Sequence, residues 1–416
     1  MTRSPCFDAV VFDLDGTLVA TDRFWIESAE RGARRAFREL GLQRAMPTAG
    51  QWMGLVGLPL EVGFRSLFPE LSEAQRSAVM CACVEEEEAL LARDGAPAIP
   101  DAHEVVRGLH AHGLAVGIAS NCQQSYLERM LDALELRALV RGSYCRESPG
   151  ITSKADMLAR LLVDFGTRSA VMVGDRASDR DAAWQNGIPH VHCAFGFAQG
   201  DEVVEAEGRI ASMSELVPLL ARRGAWIGRA LERLGALERP GLRIGITGGP
   251  AAGKTLFARD AGRLLAARGL AVAAISLSDF APGRPRADGD PLEGAVDLER
   301  LGSELLRPHE AGQEVVLLSP DLLGRTRIPA GAALLLEGPF LLGAKLRAGL
   351  DRLIHLDLPE TVSWRRVLGR EVRPASSAIP PATLEEALSV QRALEQRFPP
   401  RVAADLVLDG TNPLGA

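Results

Sequence analysis

The stretch "VVFDLDGTLV", residues 10–19, decides the fold of the first half of the chain. Its apolar residues run into Asp13 and Asp15, which predicts a buried strand with two acids at its carboxyl end. Residues i and i+2 of an extended segment lie on one side, so both carboxylates should point the same way. Gly16 lets the chain turn sharply away. Two carboxylates this close repel each other unless a cation lies between them, and Mg²⁺ meets that need.

Short apolar runs alternate with helical patterns on both sides of residue 240. The runs are 10–12, 114–121 and 169–174 in the first series, and 242–249, 270–279, 314–319, 332–338 and 352–358 in the second. This alternation is typical of parallel sheets covered by helices. We therefore predict an α/β protein with two parallel-sheet, three-layer domains.

A helical pattern interrupts the first series between its first and second strands. It covers residues 19–100 approximately and predicts an inserted helical cap. The acidic run at 85–88 within it is interpreted as a solvated helix face without a functional role. The predicted domains are 1–220 with the cap, a helical linker at 221–240 that ends in Pro-Gly, and 241–416.

Length and composition agree with a two-domain protein of the cytoplasm. The chain has 416 residues, too many for one ordinary core, and its net charge of −7 is unlike that of a nucleic-acid binder. Its six cysteines are scattered and are expected to be reduced thiols. No apolar run is long enough to span a bilayer, and we expect no signal peptide and no membrane partner. The sequence does not indicate the oligomeric state.

Lysine is rare in this chain and therefore informative. Only Lys154, Lys254 and Lys345 occur among 47 basic residues, so the other 44 are arginines. A retained lysine suggests a site that needs a compact ammonium group rather than a planar guanidinium. Lys154 and Lys254 lie in motifs described below, whereas Lys345 has no assigned role.

Further motifs of the first half follow the acidic strand in a fixed order. They are Ser120 in "IASN", Lys154 in "SKADMLARLL", and Asp175 and Asp179 in "VGDRASDRDAA". In order and spacing these motifs, with "DLDGT", resemble the haloacid dehalogenase superfamily and particularly its phosphoglycolate-phosphatase-like members. The resemblance covers residues 1–215 approximately, and the predicted cap lies where such enzymes carry one.

The resemblance implies a role for each motif residue in phosphomonoester hydrolysis. Asp13 would attack the phosphorus and form an aspartyl-phosphate, which divides the hydrolysis into two easier steps. Asp15 would protonate the leaving alkoxide and then activate water. Ser120 and Lys154 would bind the phosphoryl oxygens as their charge changes in the transition state.

The same resemblance implies how Mg²⁺ is held. Asp13, the backbone carbonyl of Asp15 and Asp175 would coordinate the ion, with Asp179 as a ligand or as a support of one. Closure of the cap would exclude bulk water and select the substrate.

A phosphate-binding motif, "GGPAAGKT" at residues 248–255, lies between the apolar run "LRIGIT" and a helical pattern. Four residues would wrap phosphates with their backbone N–H groups at the helix N-terminus: Gly248, Gly249, Ala252 and Gly253. Lys254 would bridge the β- and γ-phosphates of ATP, and Thr255 would bind Mg²⁺. The motif predicts a P-loop.

Segments that follow the P-loop resemble uridine kinase and its relatives over residues 240–412 approximately. The resemblance rests on "ISLSDF", "LLLEGPFLL" and "IHLDLPETVSWRRVLGREVR". It implies that Asp279 accepts the proton of the substrate hydroxyl and that Glu337 lies at the Mg²⁺ or in its water shell. Arg366 and Arg370 would share one helix face and reach the ATP phosphates.

Three functions fit these motifs. The first is a bifunctional enzyme that hydrolyses a small phosphate ester and phosphorylates a small-molecule hydroxyl with ATP, on different positions or metabolites. The second is a polynucleotide kinase-phosphatase-like enzyme, which the acidic balance and the cap disfavour, because a helical cap suits small substrates better than strand ends. No nucleic acid is therefore expected as a partner. The third is a sensor of nucleotide and phospho-metabolite, which the complete set of acids and lysines disfavours.

Overall fold

The computed structural model describes residues 6–198, 200, 202, 204–281, 296–318, 325–371 and 381–414. Within the helices near 375, the side chains of 370–371, 381–384 and 386–387 also lie outside the description. The chain divides into two compact units, one of residues 7–219 and the other of residues 220–414 with Cys6. The division falls inside a helix, so the segment 221–240 expected to link two domains lies in the second unit.

The first unit contains one parallel sheet, an inserted group of helices, and helices packed on the sheet. Its strands, among the described residues, are β1 (Ala9–Phe12), β2 (Ala115–Ser120), β3 (Gly142–Cys145), β4 (Ala170–Gly174), β5 (His190–Cys193) and β6 (Gly208–Ile210). Its helices are α1 (Trp25–Glu39), α2 (Ala49–Met53), α3 (Leu60–Leu67), α4 (Glu73–Asp94), α5 (Ala102–Ala111), α6 (Gln124–Ala133), α7 (Lys154–Phe165), α8 (Ala177–Gln185) and α9 (Leu216–Arg233), the last continuing into the second unit.

The six strands pair in parallel in the order β3-β2-β1-β4-β5-β6. Strand β1 is central and buried along its whole length, as expected for a parallel strand covered on both faces. Phe12 lies opposite Ile118 of β2 and Val173 of β4. The carboxyl ends of β1, β2 and β4 therefore lie side by side, which places the residues that follow them at one edge of the sheet.

The inserted helices α1 to α4 form the cap. They pack through an aromatic cluster in which Trp52 is fully buried and lies 6.3 Å from Trp25 and 5.9 Å from Phe68, between ring centroids. The two chain segments that lead into and out of the cap run side by side. Ala20 donates a backbone hydrogen bond of 2.8 Å to Pro97, so the insertion begins and ends at one point of the sheet edge.

The second unit contains a five-stranded parallel sheet in the order β13-β12-β7-β11-β8 and a separate antiparallel pair β9-β10. Its strands, in the part of the chain that is described, are β7 (Arg243–Gly248), β8 (Val272–Ser276), β9 (Val315–Leu318), β10 (Arg325–Ile328), β11 (Ala333–Glu337), β12 (Arg352–Asp357) and β13 (Leu406–Asp409). Its helices are α10 (Lys254–Ala266), α11 (Leu298–Leu301), α12 (Arg307–Glu310), α13 (Ala344–Arg347), α14 (Glu360–Glu371), α15 (Pro381–Arg397) and α16 (Pro400–Ala403).

The expectation that residues 314–319 join the main parallel sheet is wrong. They form β9, which pairs only with β10 among the described strands. Val316 and Leu318 are 50% and 64% exposed, whereas Val315 and Leu317 are buried. A strand with one open face does not suit a sheet covered on both faces, and it packs at the surface instead.

Candidate functional site

Three buried carboxylates meet at the sheet edge of the first unit. Asp13 follows β1, Asp175 follows the adjacent β4, and Asp179 lies in the first turn of α8. Each has a carboxylate oxygen within 4.8 Å of those of the other two, and none is more than 1% exposed. The sequence analysis assigned all three to a metal site, and the structure brings them together.

One lysine faces this cluster. The Nζ atom of Lys154, the first residue of α7, lies 2.9 Å from Asp13 Oδ2 and 2.7 Å from Asp179 Oδ1. Burial disfavours its charged form, but these carboxylates outweigh burial and raise the pKa of Lys154. Burial also raises the pKa of Asp13 and of Asp175, and Lys154 offsets part of the rise at Asp13. Three carboxyl groups face one ammonium group, so the buried cluster is short of positive charge.

The cluster fits a divalent cation. Oδ1 of Asp175 is buried and has no hydrogen-bond partner among the described residues, whereas its Oδ2 accepts a bond of 2.5 Å from the Phe197 backbone. A Cβ atom on Gly16, whose φ is +73°, would lie 2.4 Å from Asp175 Oδ2. Glycine therefore permits the turn after β1 to close against the carboxylate. A shortage of positive charge and an unbonded buried oxygen are the features that Mg²⁺ requires.

The Asp15 carboxylate lies apart from this cluster. Its Oδ1 accepts hydrogen bonds from Thr21 Oγ1 at 2.6 Å and from Tyr126 OH at 2.7 Å. Burial raises the pKa of Asp15, and the Thr21 bond works against the rise. The side chain faces the cap, so the expected contribution of Asp15 to a metal site is limited to its backbone carbonyl and stays a prediction.

A cavity of about 60 Å³ separates the sheet edge from the cap. Its walls comprise the following residues: Asp15, Thr21, Trp25, Leu55, Val56, Gly57, Leu58, Leu60, Glu87, Ser120, Asn121, Cys122, Gln123 and Tyr126. Ser120, the last residue of β2, is 2% exposed and lies in this wall. The position agrees with the predicted contact of its hydroxyl with a substrate phosphate, which stays a prediction.

We call two of the contacts that attach the cap to the sheet edge, among the described residues, the cap latch. Asn121 Nδ2 donates a hydrogen bond of 3.0 Å to the Gly57 carbonyl, and Arg176 Nη1 donates one to the Val56 carbonyl. Both acceptors are backbone groups of the cap. Arg176 also pairs with Glu202 at 2.8 Å.

Glu87 of α4 is a cavity residue that the sequence analysis missed. The interpretation of 85–88 as a solvated face is wrong at Glu87, which is 8% exposed. A signal was present, because Val79, Cys83 and Glu87 repeat every four residues on the buried side of α4. Burial, with the Asp15 charge as the next cause, raises the pKa of Glu87 to about 8, and Arg129 opposes the rise.

The second unit places the glycine-rich motif between β7 and α10. Lys254 Nζ donates hydrogen bonds to the carbonyls of Gly248 at 3.0 Å and Gly249 at 2.8 Å. Gly253 precedes α10 with φ of +86°, a conformation that favours glycine. Ala252, within this loop, is buried. The loop therefore ends at a helix N-terminus, which attracts anions.

Thr255 and Glu337 meet beside this loop. Thr255 Oγ1 donates a hydrogen bond of 3.1 Å to Glu337 Oε1, and Glu337 is 6% exposed at the end of β11. Strands β7 and β11 are parallel neighbours, which brings the two side chains to the same sheet edge. The pair supplies two oxygen atoms for a Mg²⁺ site, as the sequence predicts, although metal binding by either residue stays a prediction.

The remaining predicted residues of the second unit differ in their placement. Arg366 is 6% exposed and donates hydrogen bonds to the carbonyls of Gly410 and Thr411, both at 3.0 Å, and of Ala251 at 3.4 Å. It thus supports the backbone of the glycine-rich loop in this conformation, and its contact with ATP phosphates stays a prediction. Asp279 is half-buried in the turn after β8, and no contact among the described residues joins it to the loop. The Arg370 side chain lies outside the described residues.

Comparisons with known proteins concern the first half of the chain. Residues 10–193 match the haloacid dehalogenase-like hydrolase family, which confirms that resemblance for this half. The chain is 22% identical to the phosphoglycolate phosphatase of Salmonella typhi over 232 residues, which are 51% of this chain and 91% of that protein.

Two solved structures show similarity over the same half. A haloacid dehalogenase-like hydrolase from Streptococcus pneumoniae is 25% identical with a TM-score of 0.44, covering 51% of this chain and 98% of its own. A predicted phosphoglycolate phosphatase from Haemophilus somnus is 19% identical with a TM-score of 0.47, covering 53% of this chain and 99% of its own. None of the helices described is long and apolar enough to cross a membrane.

Proposed function

We propose that the first unit is a Mg²⁺-dependent phosphatase of small phosphomonoesters. The observation that carries the proposal is the buried cluster of Asp13, Asp175 and Asp179, opposed only by Lys154 among the described residues. A divalent cation would balance the carboxyl groups that Lys154 does not, and it would supply positive charge beside the nucleophile for phosphate-ester hydrolysis. The family match and the name of the Salmonella relative support the same activity.

In this proposal Asp13 is the nucleophile. Its Oδ1 is held by the Leu14 backbone N–H at 2.8 Å, which orients Oδ2 beside Lys154 at the open end of β1. Attack of Asp13 on phosphorus forms a phospho-aspartate and releases the alcohol. Asp15, whose pKa is raised, donates the proton to the departing oxygen and then takes one from the water that cleaves the acyl phosphate.

The neighbouring residues position the phosphoryl group. Lys154 neutralises the phosphoryl oxygens, and its attraction to Asp13 weakens as that carboxylate becomes an acyl phosphate. Ser120 donates a hydrogen bond from the cavity wall. Asp13, Asp175 and Asp179 would hold Mg²⁺, which would supply positive charge that offsets the negative charge of the phosphate. The cap latch keeps bulk water out of the cavity during the reaction.

Phosphate release tests this proposal. With p-nitrophenyl phosphate and Mg²⁺ we expect turnover by the wild type and a loss of at least about 10³-fold in Asp13→Asn, because the nucleophile is removed. Asp181→Asn is a matched control, since its side chain is 46% exposed and pairs with the adjacent Arg180. Equal activity of Asp13→Asn and Asp181→Asn would contradict the proposed mechanism.

We further propose that the second unit binds ATP and phosphorylates a hydroxyl group of a small molecule, with a P-loop kinase fold. The support is the strand, glycine-rich loop and helix of 243–266, with Lys254 directed into the loop and the Thr255–Glu337 pair beside it. Bound triphosphate would replace the loop carbonyls as partners of Lys254. Asp279 would accept the hydroxyl proton.

Two lysine variants test the second activity. Lys254→Ala should weaken binding of a fluorescent ATP analogue by at least about 100-fold and abolish ADP formation with a panel of nucleosides and other alcohols. Lys345→Ala, an exposed lysine on α13, is the matched control and should retain both. Phosphate release by the first unit should survive in each. Nucleotide binding unchanged by Lys254→Ala would refute the assignment.

Two opposed activities on one position of one metabolite would consume ATP without result. We therefore propose that the two units act on different positions or on different metabolites. Candidate metabolites should be incubated with Asp13→Asn and, separately, with Lys254→Ala. If both variants abolish the same single step, the proposal that the two units act on different positions or metabolites is wrong.

A further inference from the structure

The cavity beside the proposed phosphatase site contains acids but no basic side chain. Asp15 and Glu87 are its two acidic residues, and no lysine, arginine or histidine occurs among its lining residues. We propose that this cavity selects phosphomonoesters whose leaving alcohol carries an ammonium group, with Glu87 as the residue that determines the specificity. The inference rests on the proposed phosphatase function of the first unit and adds the substrate class.

Glu87 lines the cavity, and no positively charged side chain is among the lining residues. It is more than nine-tenths buried, and no hydrogen bond or ion pair joins it to any described residue. A buried carboxyl without a partner is costly, so a native structure that retains one needs a reason. A cationic ligand in the cavity would supply the missing partner.

The nearby cations are already engaged. Lys154 contacts Asp13 and Asp179, Arg176 pairs with Glu202 at 2.8 Å, and Arg129 pairs with Glu88 at 2.8 Å. A leaving group with a carboxylate, such as glycolate, would meet Asp15 and Glu87 without a free positive partner. The charge of the cavity thus disfavours the substrate for which the Salmonella relative is named.

Size and shape of the cavity also suit a short amino alcohol. A volume of about 60 Å³ accommodates roughly four to six water-sized groups at 10–15 Å³ each, so the alcohol is a small one. Trp25 and Tyr126 contribute aromatic surface to the wall, and aromatic rings attract ammonium groups. Tyr126 also holds Asp15 at 2.7 Å, which keeps the proposed proton donor beside the departing oxygen.

Three esters of similar size separate the effect of charge from that of shape. They are 2-aminoethyl phosphate, 2-hydroxyethyl phosphate and 2-phosphoglycolate, which carry a positive, a neutral and a negative group. For the wild type with Mg²⁺ we expect kcat/KM to fall by at least about tenfold at each step of this series, where tenfold corresponds to 1.4 kcal/mol. At pH 8.5, above the raised pKa of Glu87 of about 8, the Glu87 carboxylate is charged, and the order follows from that charge facing the cavity.

Glu87→Gln removes the charge and keeps the shape. We expect it to lower kcat/KM for 2-aminoethyl phosphate by about tenfold and for 2-hydroxyethyl phosphate by less than about threefold, since only the former pairs with the carboxylate. Glu85→Gln is the matched control, because this residue of α4 is exposed and pairs with Arg35. A merely structural role of Glu87 would lower both rates equally.

Two results would overturn the inference. One is hydrolysis of 2-phosphoglycolate as fast as, or faster than, hydrolysis of the aminoethyl ester. The other is an unchanged ratio of the aminoethyl and hydroxyethyl rates in Glu87→Gln.

A binding measurement distinguishes a failure of this inference from a failure of the proposed phosphatase function. Calorimetric titration of the three esters into Asp13→Asn with Mg²⁺ should give the tightest binding for the aminoethyl ester. If the wild type hydrolyses no ester, including p-nitrophenyl phosphate, the phosphatase proposal fails, and the order of binding affinities alone decides the inference. If the esters are hydrolysed without the expected order, the phosphatase proposal stands and the inference fails.

Discussion

Replacement of Glu87 by glutamine should change how the stability of the protein depends on pH. The pKa of Glu87 is raised from 4.5 to about 8 in the folded chain, by burial first and by Asp15 next. Between these values the folded state retains a proton that the unfolded state has lost. The free energy of unfolding of the wild type therefore falls as pH rises through this window, whereas glutamine adds no such dependence.

The size of this difference in the free energy of unfolding follows from the shift in the pKa of Glu87. At 1.36 kcal/mol for each unit, the rise from 4.5 to about 8 sets an upper limit of about 5 kcal/mol at pH 8 and above. Opening of the cap hydrates Glu87 without unfolding the sheet, so part of this penalty is relieved locally. We expect Glu87→Gln to exceed the wild type by about 1–3 kcal/mol at pH 8.5 and to differ little near pH 5.

Denaturant unfolding of the full chain at intervals from pH 5 to 8.5, without Mg²⁺, measures the difference. Tryptophan fluorescence is a suitable signal, because Trp25 and Trp52 lie in the cap that carries Glu87. Glu85→Gln controls for the loss of one surface charge from the same helix. Parallel stability curves of wild type and Glu87→Gln across the pH range would refute the reasoning, as would a variant that loses stability relative to wild type as pH rises.

Three further predictions concern other parts of the chain. Asp175→Asn should raise the thermal midpoint in the absence of Mg²⁺, because it replaces a buried acid, whose charged form burial disfavours, with a neutral amide. It should also abolish the stabilisation that Mg²⁺ gives the wild type, and fluorimetry with and without the ion checks both. Arg223→Met should cost about 3 kcal/mol in urea unfolding, because it leaves the fully buried Asp260 without its bond of 2.6 Å. Gly248→Ala should abolish binding of a fluorescent ATP analogue, since its Cβ would lie 2.4 Å from a carbonyl oxygen of β12, whereas Gly249→Ala meets nothing within 4 Å and should bind normally.

The acidic cluster could be predicted because its members follow strands. The resemblance to the haloacid dehalogenase superfamily identified Asp175, and because parallel strands end at one sheet edge, it was expected to lie near Asp13. Lys154 was found by a different signal, the rarity of lysine in an arginine-rich chain. Thr255 and Glu337 likewise lie at one sheet edge of the second unit, because they follow or end the parallel neighbours β7 and β11.

The cavity could not be predicted in the same way, because it depends on how the cap rests on the sheet edge. Tyr126, for example, lies 111 residues from Asp15 in the sequence, and no local pattern connects them. Glu87 was misread because a run of four glutamates looks solvated, although the periodicity of its neighbours marks the buried side of α4. Strand β9 was misplaced because an apolar run alone does not reveal that one face is open.

The cap latch has a consequence for how this protein can change over time. In the cap, Asn121 and Arg176 bind only main-chain carbonyls, those of Gly57 and Val56. These hydrogen bonds therefore depend on the backbone conformation of the cap and not on the identity of its side chains. Only Gly57 is constrained by identity, because its φ is +86° and Arg176 lies against it. Leu58 and Leu60 also line the cavity and are not among the buried core residues, so their side chains can change while the latch is preserved. Substitutions at these positions could thus exchange one substrate for another without changing the cap latch or the acidic site.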